Sequence, residues 1–216
     1  MKVTPGQIFD DATRAALASG RAEPAFGLFI ESLQEMQGLS PDAGAVLSGA
    51  MLEAEAPASL SPEALDRTLA AIDRAIDRDG PQPASLHYEE LTRAPAVLAS
   101  AIRDAEAGRG WRRLAPGVRR LRLDVGGEAK AEIVRLDASV AIPFHTHKGL
   151  ELTLCLAGGF SDGRGSYGPG DVSMADPGIR HQPKADDDGP CFVLAVTDAG
   201  LRFEGLLGAI QKLTGR

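Results

Sequence analysis

Residues able to bind a metal or carry redox chemistry are scarce in this chain, and no segment is built for a membrane. Its 216 residues include 4 His and 2 Cys. Two cysteines, Cys155 and Cys191, make no disulfide framework, and in a cytosolic setting they read as reduced core residues. There is no run of about 18 apolar residues, so no membrane-spanning helix is expected. The opening stretch MKVTPGQIFDDATRAALASG carries acids early and has no apolar signal core, which makes the cytoplasm the expected location. Basic residues are outnumbered, 23 Lys and Arg against 30 Asp and Glu, for a net charge of -7 and a pI near 5.1. That balance argues against direct nucleic-acid binding, since phosphate needs clustered Lys and Arg. A basic protein partner is compatible with it.

What is present divides near residue 110. Before it, Ala and Leu recur at helical spacing; after it, Val, Gly and period-two alternation take over. One helix is expected over Gly6 to Ser19. A second, over about Ala22 to Gln37, carries Phe26, Phe29, Ile30, Leu33 and Met36 on one face. Ser40-Pro41-Asp42 and Ser61-Pro62-Glu63 each start a further helix, with Ser as N-cap, Pro at the first helical position and an acid against the helix dipole. In the last of these, Leu65, Leu69, Ile72 and Ile76 form an apolar stripe among charges. Gly80 to Ser85 (GPQPAS) reads as a linker, and one more helix is expected over about Ala94 to Ala107.

The second half reads as short strands: VRRLRLDV, AEIVRLDA, ELTLCLAG and the nearly continuous apolar CFVLAVTD, expected to be an inner strand. Gly126-Gly127, Asp162-Gly163, Gly168-Pro169-Gly170, Pro177-Gly178 and Asp188-Gly189-Pro190 mark turns. Many short strands with regular turns point to a closed barrel or jelly roll. LRFEGLLGAIQKLTG reads as a short closing helix.

His145 and His147 are two apart, which on a strand puts both rings on one face. Glu151 follows across the Lys148-Gly149 turn, and His181 comes after GPGDVSMADPGIRH. Three imidazoles and a carboxylate suit zinc, iron, manganese or nickel. His87, alone in a polar stretch, reads as an ordinary surface or packing residue.

The order of these residues resembles the cupins. HTHKGLE has the His-x-His, three residues, then Glu of the first cupin motif, with Gly158 after it; GPGDVSMADPGIRH resembles the second. An asparagine common four residues beyond that last His is replaced by Ala185. Together with WRRLAPGVRRLRL and CFVLAVTDAGLRFEGLLG, these motifs look like the cupin half of ChrR-type anti-sigma factors. That resemblance implies a mixed α and β chain: an N-terminal helical bundle followed by a cupin β-jelly-roll barrel. It divides into an anti-sigma-like domain at 1–80, a linker and helix at 81–110, and a cupin at 111–216. It implies His145, His147, Glu151 and His181 as ligands of one divalent metal ion, zinc first, with iron, manganese or nickel as alternatives. It also implies a group IV (extracytoplasmic-function) sigma factor as partner, and release of that partner on an oxidative or singlet-oxygen-type signal.

One departure matters. The family's helical half carries its own zinc on a His-x3-Cys-x2-Cys motif, and here Ser32, Met36 and Leu39 occupy that spacing. No N-terminal zinc is therefore expected, and apolar packing would take its place. The stripe Leu65, Leu69, Ile72 and Ile76 is the first candidate for sigma-factor contact; packing against the other helices is the competing reading. Cys155 and Cys191 lie on apolar strands, where cysteines are usually inert. An enzymatic alternative is a metal-dependent cupin such as an iron dioxygenase of small diketones, which leaves the helical half without a purpose. Cupins often dimerise, so a homodimer through the cupin fits either reading.

Overall fold

The computed structural model describes residues 23–38, 61–78, 87–198 and 201–203, the last three and 72–78 as backbone only. The helices expected over 6–19 and from Ser40, and the linker at 80–85, lie outside the described residues. Helix α1 spans Pro24–Met36, α2 Ala64–Arg78 and α3 Ala96–Ala107, with a 3-10 turn at Glu89–Arg93. Proline opens α1 and Gly38, at φ +63, closes it in the left-handed conformation a side chain would resist.

Strands follow as β1 (Arg112–Ala115), β2 (Val118–Leu123), β3 (Lys130–Leu136), β4 (His145–His147), β5 (Glu151–Ala157), β6 (Phe160–Ser161), β7 (Ser166–Tyr167), β8 (Val172–Ala175), β9 (Lys184–Ala185), β10 (Cys191–Thr197) and β11 (Leu201–Phe203). Six of them form one sheet in the order β1-β2-β3-β10-β5-β8, and its neighbours are antiparallel. Two smaller sheets, β7-β6-β9 and β11-β4, form beside it, with an isolated bridge between His145 and His181. This is a cupin-like fold, mostly β-sheet with few helices. The large sheet is open rather than the closed barrel expected: β1 is a solvent-exposed edge whose arginines face water.

Strands β5 and β10 are buried on both faces, which is why their sequences read as continuous apolar runs. On one face Leu152, Leu154, Leu156, Phe192, Leu194 and Val196 pack with Phe29, Leu33, Leu98 and Ile102 of α1 and α3. On the other, Cys155, Cys191 and Val193 pack with Phe160, Tyr167 and Ala185 of the small sheet. Helix α1 thus shares the core of the large sheet, on the face away from the histidines. Polar contacts tie it down: the Glu23 carboxylate accepts the Ala129 N–H at 2.7 Å, Glu35 accepts the Ala96 N–H that opens α3, and Gln37 donates to the Gly170 carbonyl.

Residues Leu201–Phe203 do not start the expected closing helix. They form β11, antiparallel to β4, with Leu201 opposite His147 and Phe203 opposite His145. Leu-Arg-Phe alternates with period two, and β4 needs a partner for its backbone groups. The rest of that segment lies outside the described residues.

Candidate metal centre

Strand β4 is three residues long, His-Thr-His, and its period turns both imidazoles inward. The bridge between His145 and His181, with each backbone N–H donating to the other's carbonyl at 3.1 Å, sets the third ring beside the first. Glu151 opens β5 directly after the turn. Gly158 closes the same strand at φ +70, where a Cβ would lie 2.2 Å from the Pro190 carbonyl oxygen, so only glycine fits this motif position.

All four side chains are buried and their donor atoms lie within 4.8 Å of one another. The Nε2 atoms of His147 and His181 approach to 2.8 Å, and those of His181 and His145 to 3.0 Å. Glu151 Oε2 stands 3.2 Å from His147 Nε2 and 3.6 Å from His181 Nε2. His145 Nδ1 lies 2.8 Å from the Pro143 carbonyl oxygen, which can only accept, so the proton sits on Nδ1 and Nε2 keeps its lone pair.

Electrostatics agree with this. Burial pulls His145 down to about 4, opposed by the Pro143 bond and aided by His181. Burial and the neighbouring imidazoles bring His147 to about 3. Both rings are therefore neutral near pH 7 and offer lone pairs rather than charge. Burial pushes the Glu151 carboxyl up to about 7, against the pull of His181 and Thr153. A buried, three-imidazole, one-carboxylate cluster with facing lone pairs is costly unless something positive sits among them. A divalent cation meets that need, and the residues fit one.

A neighbouring set escaped sequence reading. Asp162, in the turn after β6, is a buried carboxylate that accepts from Arg164, Ser173 and the backbone. Burial alone would raise its pKa, yet the facing His181 ring and hydrogen bonds from Arg164 and Ser173 hold it well below the ordinary carboxylate range. Its only signal in the sequence was an Asp-Gly turn.

The other candidates fall as follows. Leu65 and Leu69 stand on α2 at 67% and 50% exposure, while the side chains of Ile72 and Ile76 lie outside the described residues. Ser32 and Met36, which occupy two positions of the missing zinc motif, sit on α1. Ser32 is buried and donates to the Leu28 carbonyl at 2.7 Å, and Met36 packs against the sheet core. Leu39 is outside the described residues. Cys155 and Cys191 are free and buried, and contact with Cys191 followed by burial raises the Cys155 thiol pKa. His87 stacks edge-on to Tyr88, far from the cluster in role.

Residues 102–199 match the family described as the ChrR cupin-like domain. The chain is 38% identical over 200 residues to the anti-sigma-E factor ChrR of Cereibacter sphaeroides, covering 91% of this chain and 92% of that protein. It also resembles the crystal structure of Rhodobacter sphaeroides SigE in complex with the anti-sigma ChrR. There the TM-score is 0.58 at 32% identity, over 88% of this chain and 97% of the matched one.

Proposed function

The chain belongs to the ChrR family of anti-sigma factors, and from that premise we propose that it sequesters a group IV sigma factor with its helical half and responds to an oxidative signal through its cupin. The observation that carries this reading is the reach of the similarity. It extends over 91% of the chain, through both the helical half and the cupin, and the similar solved structure is a complex with a sigma factor. The proposed division is a helical anti-sigma bundle at 1–80, a linker and helix at 81–110, and the cupin at 111–216.

In the helical half, α2 supplies the contact surface. Leu65 and Leu69 are large, apolar and exposed on a helix otherwise rich in charge, an arrangement suited to laying one face into an apolar groove of the partner. No helix among the described residues is long and apolar enough to cross a bilayer.

In the cupin, His145, His147, Glu151 and His181 hold one divalent ion, zinc by preference. Four protein donors would suffice for a tetrahedral zinc shell of the structural kind, with no position left over for a substrate. This favours a sensor over a dioxygenase. The chain's own contribution is to keep three imidazoles dry and convergent, with His145 and His147 neutral near pH 7. Addition of singlet oxygen across one ligand ring would put both oxygen atoms on the imidazole, break its aromaticity and weaken its donor nitrogen, loosening β4 from Glu151 of β5; β5 pairs with β10, which lies against α1. That is a route from the cupin to the helical half. At two positions of the missing zinc motif Ser32 donates to the Leu28 carbonyl and Met36 packs against the sheet core, which supports a helical half without a zinc of its own.

The test is a binding assay between the full chain and each group IV sigma factor of its host. One factor should bind one-to-one, and Leu65→Asp with Leu69→Asp should weaken it by more than tenfold. Absence of binding to every such factor would defeat the proposal.

A further inference from the structure

Resting on that four-ligand reading, we propose that Asp162 is the positioning carboxylate of the metal centre: its Oδ2 fixes the His181 ring with the proton on Nδ1, so that Nε2 presents its lone pair to the ion.

His181 Nδ1 is buried with no acceptor within hydrogen-bond distance, and the group facing it is Asp162 Oδ2 at 3.8 Å. A neutral imidazole carries one N–H and one lone pair. With Nε2 turned toward the other three donors, the N–H falls on Nδ1, and a buried N–H calls for an acceptor. His145 has met the same need with the Pro143 carbonyl. For His181 the acceptor is a carboxylate, which binds an N–H more strongly than a carbonyl does.

The separation of 3.8 Å belongs to a contracted cluster. Its Nε2 atoms stand 2.8 and 3.0 Å apart, whereas two nitrogens bound tetrahedrally to one zinc lie about 3.3 Å apart. Seating an ion would spread the rings by a few tenths of an ångström. Movement of His181 away from the centre carries Nδ1 toward Asp162, into hydrogen-bond range.

Asp162 is itself held in place. Its Oδ1 accepts the backbone N–H groups of Arg164 at 2.9 Å and Gly165 at 3.2 Å. Its Oδ2 accepts Arg164 Nη2 at 2.5 Å and Nε at 3.1 Å, Ser173 Oγ at 3.0 Å and the Tyr167 hydroxyl at 3.4 Å. Arg164 also donates to the Met174 carbonyl and to Ser173, both on β8. Strand β8 pairs with β5, where Ala175 is opposite Glu151. The turn after β6 and the strand beside the glutamate ligand are thereby locked around one carboxylate oxygen.

The experiment loads the full chain with zinc and follows its release to an excess of chromophoric chelator. Asp162→Asn, nearly isosteric, should release zinc about 10- to 100-fold faster than the unmodified chain. Ser173→Ala removes one donor from the same oxygen but leaves the carboxylate in front of His181, so its release should stay within about threefold of the parent. Equal acceleration by both variants would reduce Asp162 to a loop anchor and overturn the proposal, as would an unchanged rate in Asp162→Asn. A second measurement needs no variant: nitrogen-15 correlation spectra of the zinc-loaded chain should show His181 protonated at Nδ1. Protonation at Nε2 would also overturn it. If the unmodified chain takes up no ion, or His147→Ala keeps its ion at the parent rate, the four-ligand reading fails and this inference with it. A bound ion released normally by Asp162→Asn defeats the inference alone.

Discussion

Phe29→Ala probes whether α1 belongs to the cupin's core or to a separate helical unit. The Phe29 side chain is completely buried, in one core cluster with the sheet residues Leu152, Leu154, Phe192 and Leu194. A phenylalanine buries at least about 150 Å², and at about 25 cal/mol per Å² its transfer alone is worth about 4 kcal/mol. Truncation series place Phe→Ala at about 3–5 kcal/mol, because the cavity closes only partly. For a chain of this size each kcal/mol shifts Tm by about 2–4 °C, so a fall of roughly 6–20 °C is expected. The chain has one tryptophan, Trp111, which packs edge-on to Tyr88 and Phe192 at the sheet surface. Its fluorescence reports the sheet and the end of α3, whose Glu106 accepts its indole N–H at 2.7 Å, rather than α1. In Phe29→Ala the Trp111 transition should shift down together with the helical circular-dichroism signal. A Trp111 transition at the parent temperature, with only the helical signal displaced, would refute the shared core.

Other consequences are simpler to measure. His145→Ala with His147→Ala should abolish the bound ion and leave about none per chain by elemental analysis, where the parent holds about one; a parent with two tightly bound ions would contradict the loss of the N-terminal site. Glu35→Ala removes the carboxylate that accepts the Ala96 N–H at the start of α3, and should cost about 1 kcal/mol in urea unfolding. In chelator, stability should fall as pH drops from 6.5 to 4.5. His145 and His147, lowered from 6.5 to about 4 and about 3, stay neutral in the fold while their unfolded counterparts protonate. Their stabilising contribution, complete above 6.5, is therefore lost toward acid. Glu151, raised from 4.5 to about 7, acts in the opposite direction by holding a proton in the fold. Unfolding then takes up about one net proton, a loss of roughly 1.4 kcal/mol per pH unit; a flat urea midpoint across this window would contradict the buried neutral rings.

Much of this molecule is legible in its residues because the signals are local. The 3.6-residue spacing of Phe26, Phe29, Ile30 and Leu33 specifies a helix, observed as Pro24–Met36, and the run Cys191–Thr197 specifies a strand buried on both faces. His145 and His147 must share a face on any strand, since successive side chains alternate. Sequence separation hides the remainder. His181, assigned in the sequence through the family resemblance, reaches the pair by a backbone bridge across 36 residues, and the acceptor facing its outer nitrogen comes from a turn that reads merely as Asp-Gly. The strand at Leu201–Phe203 resembles the start of a helix until β4 offers it an unpaired edge. Nor does the apolar stripe of α1 name the surface it covers. Hydrophobic burial is non-directional, so a sequence determines which face must leave water, while the tertiary structure decides that the sheet behind the histidines receives it.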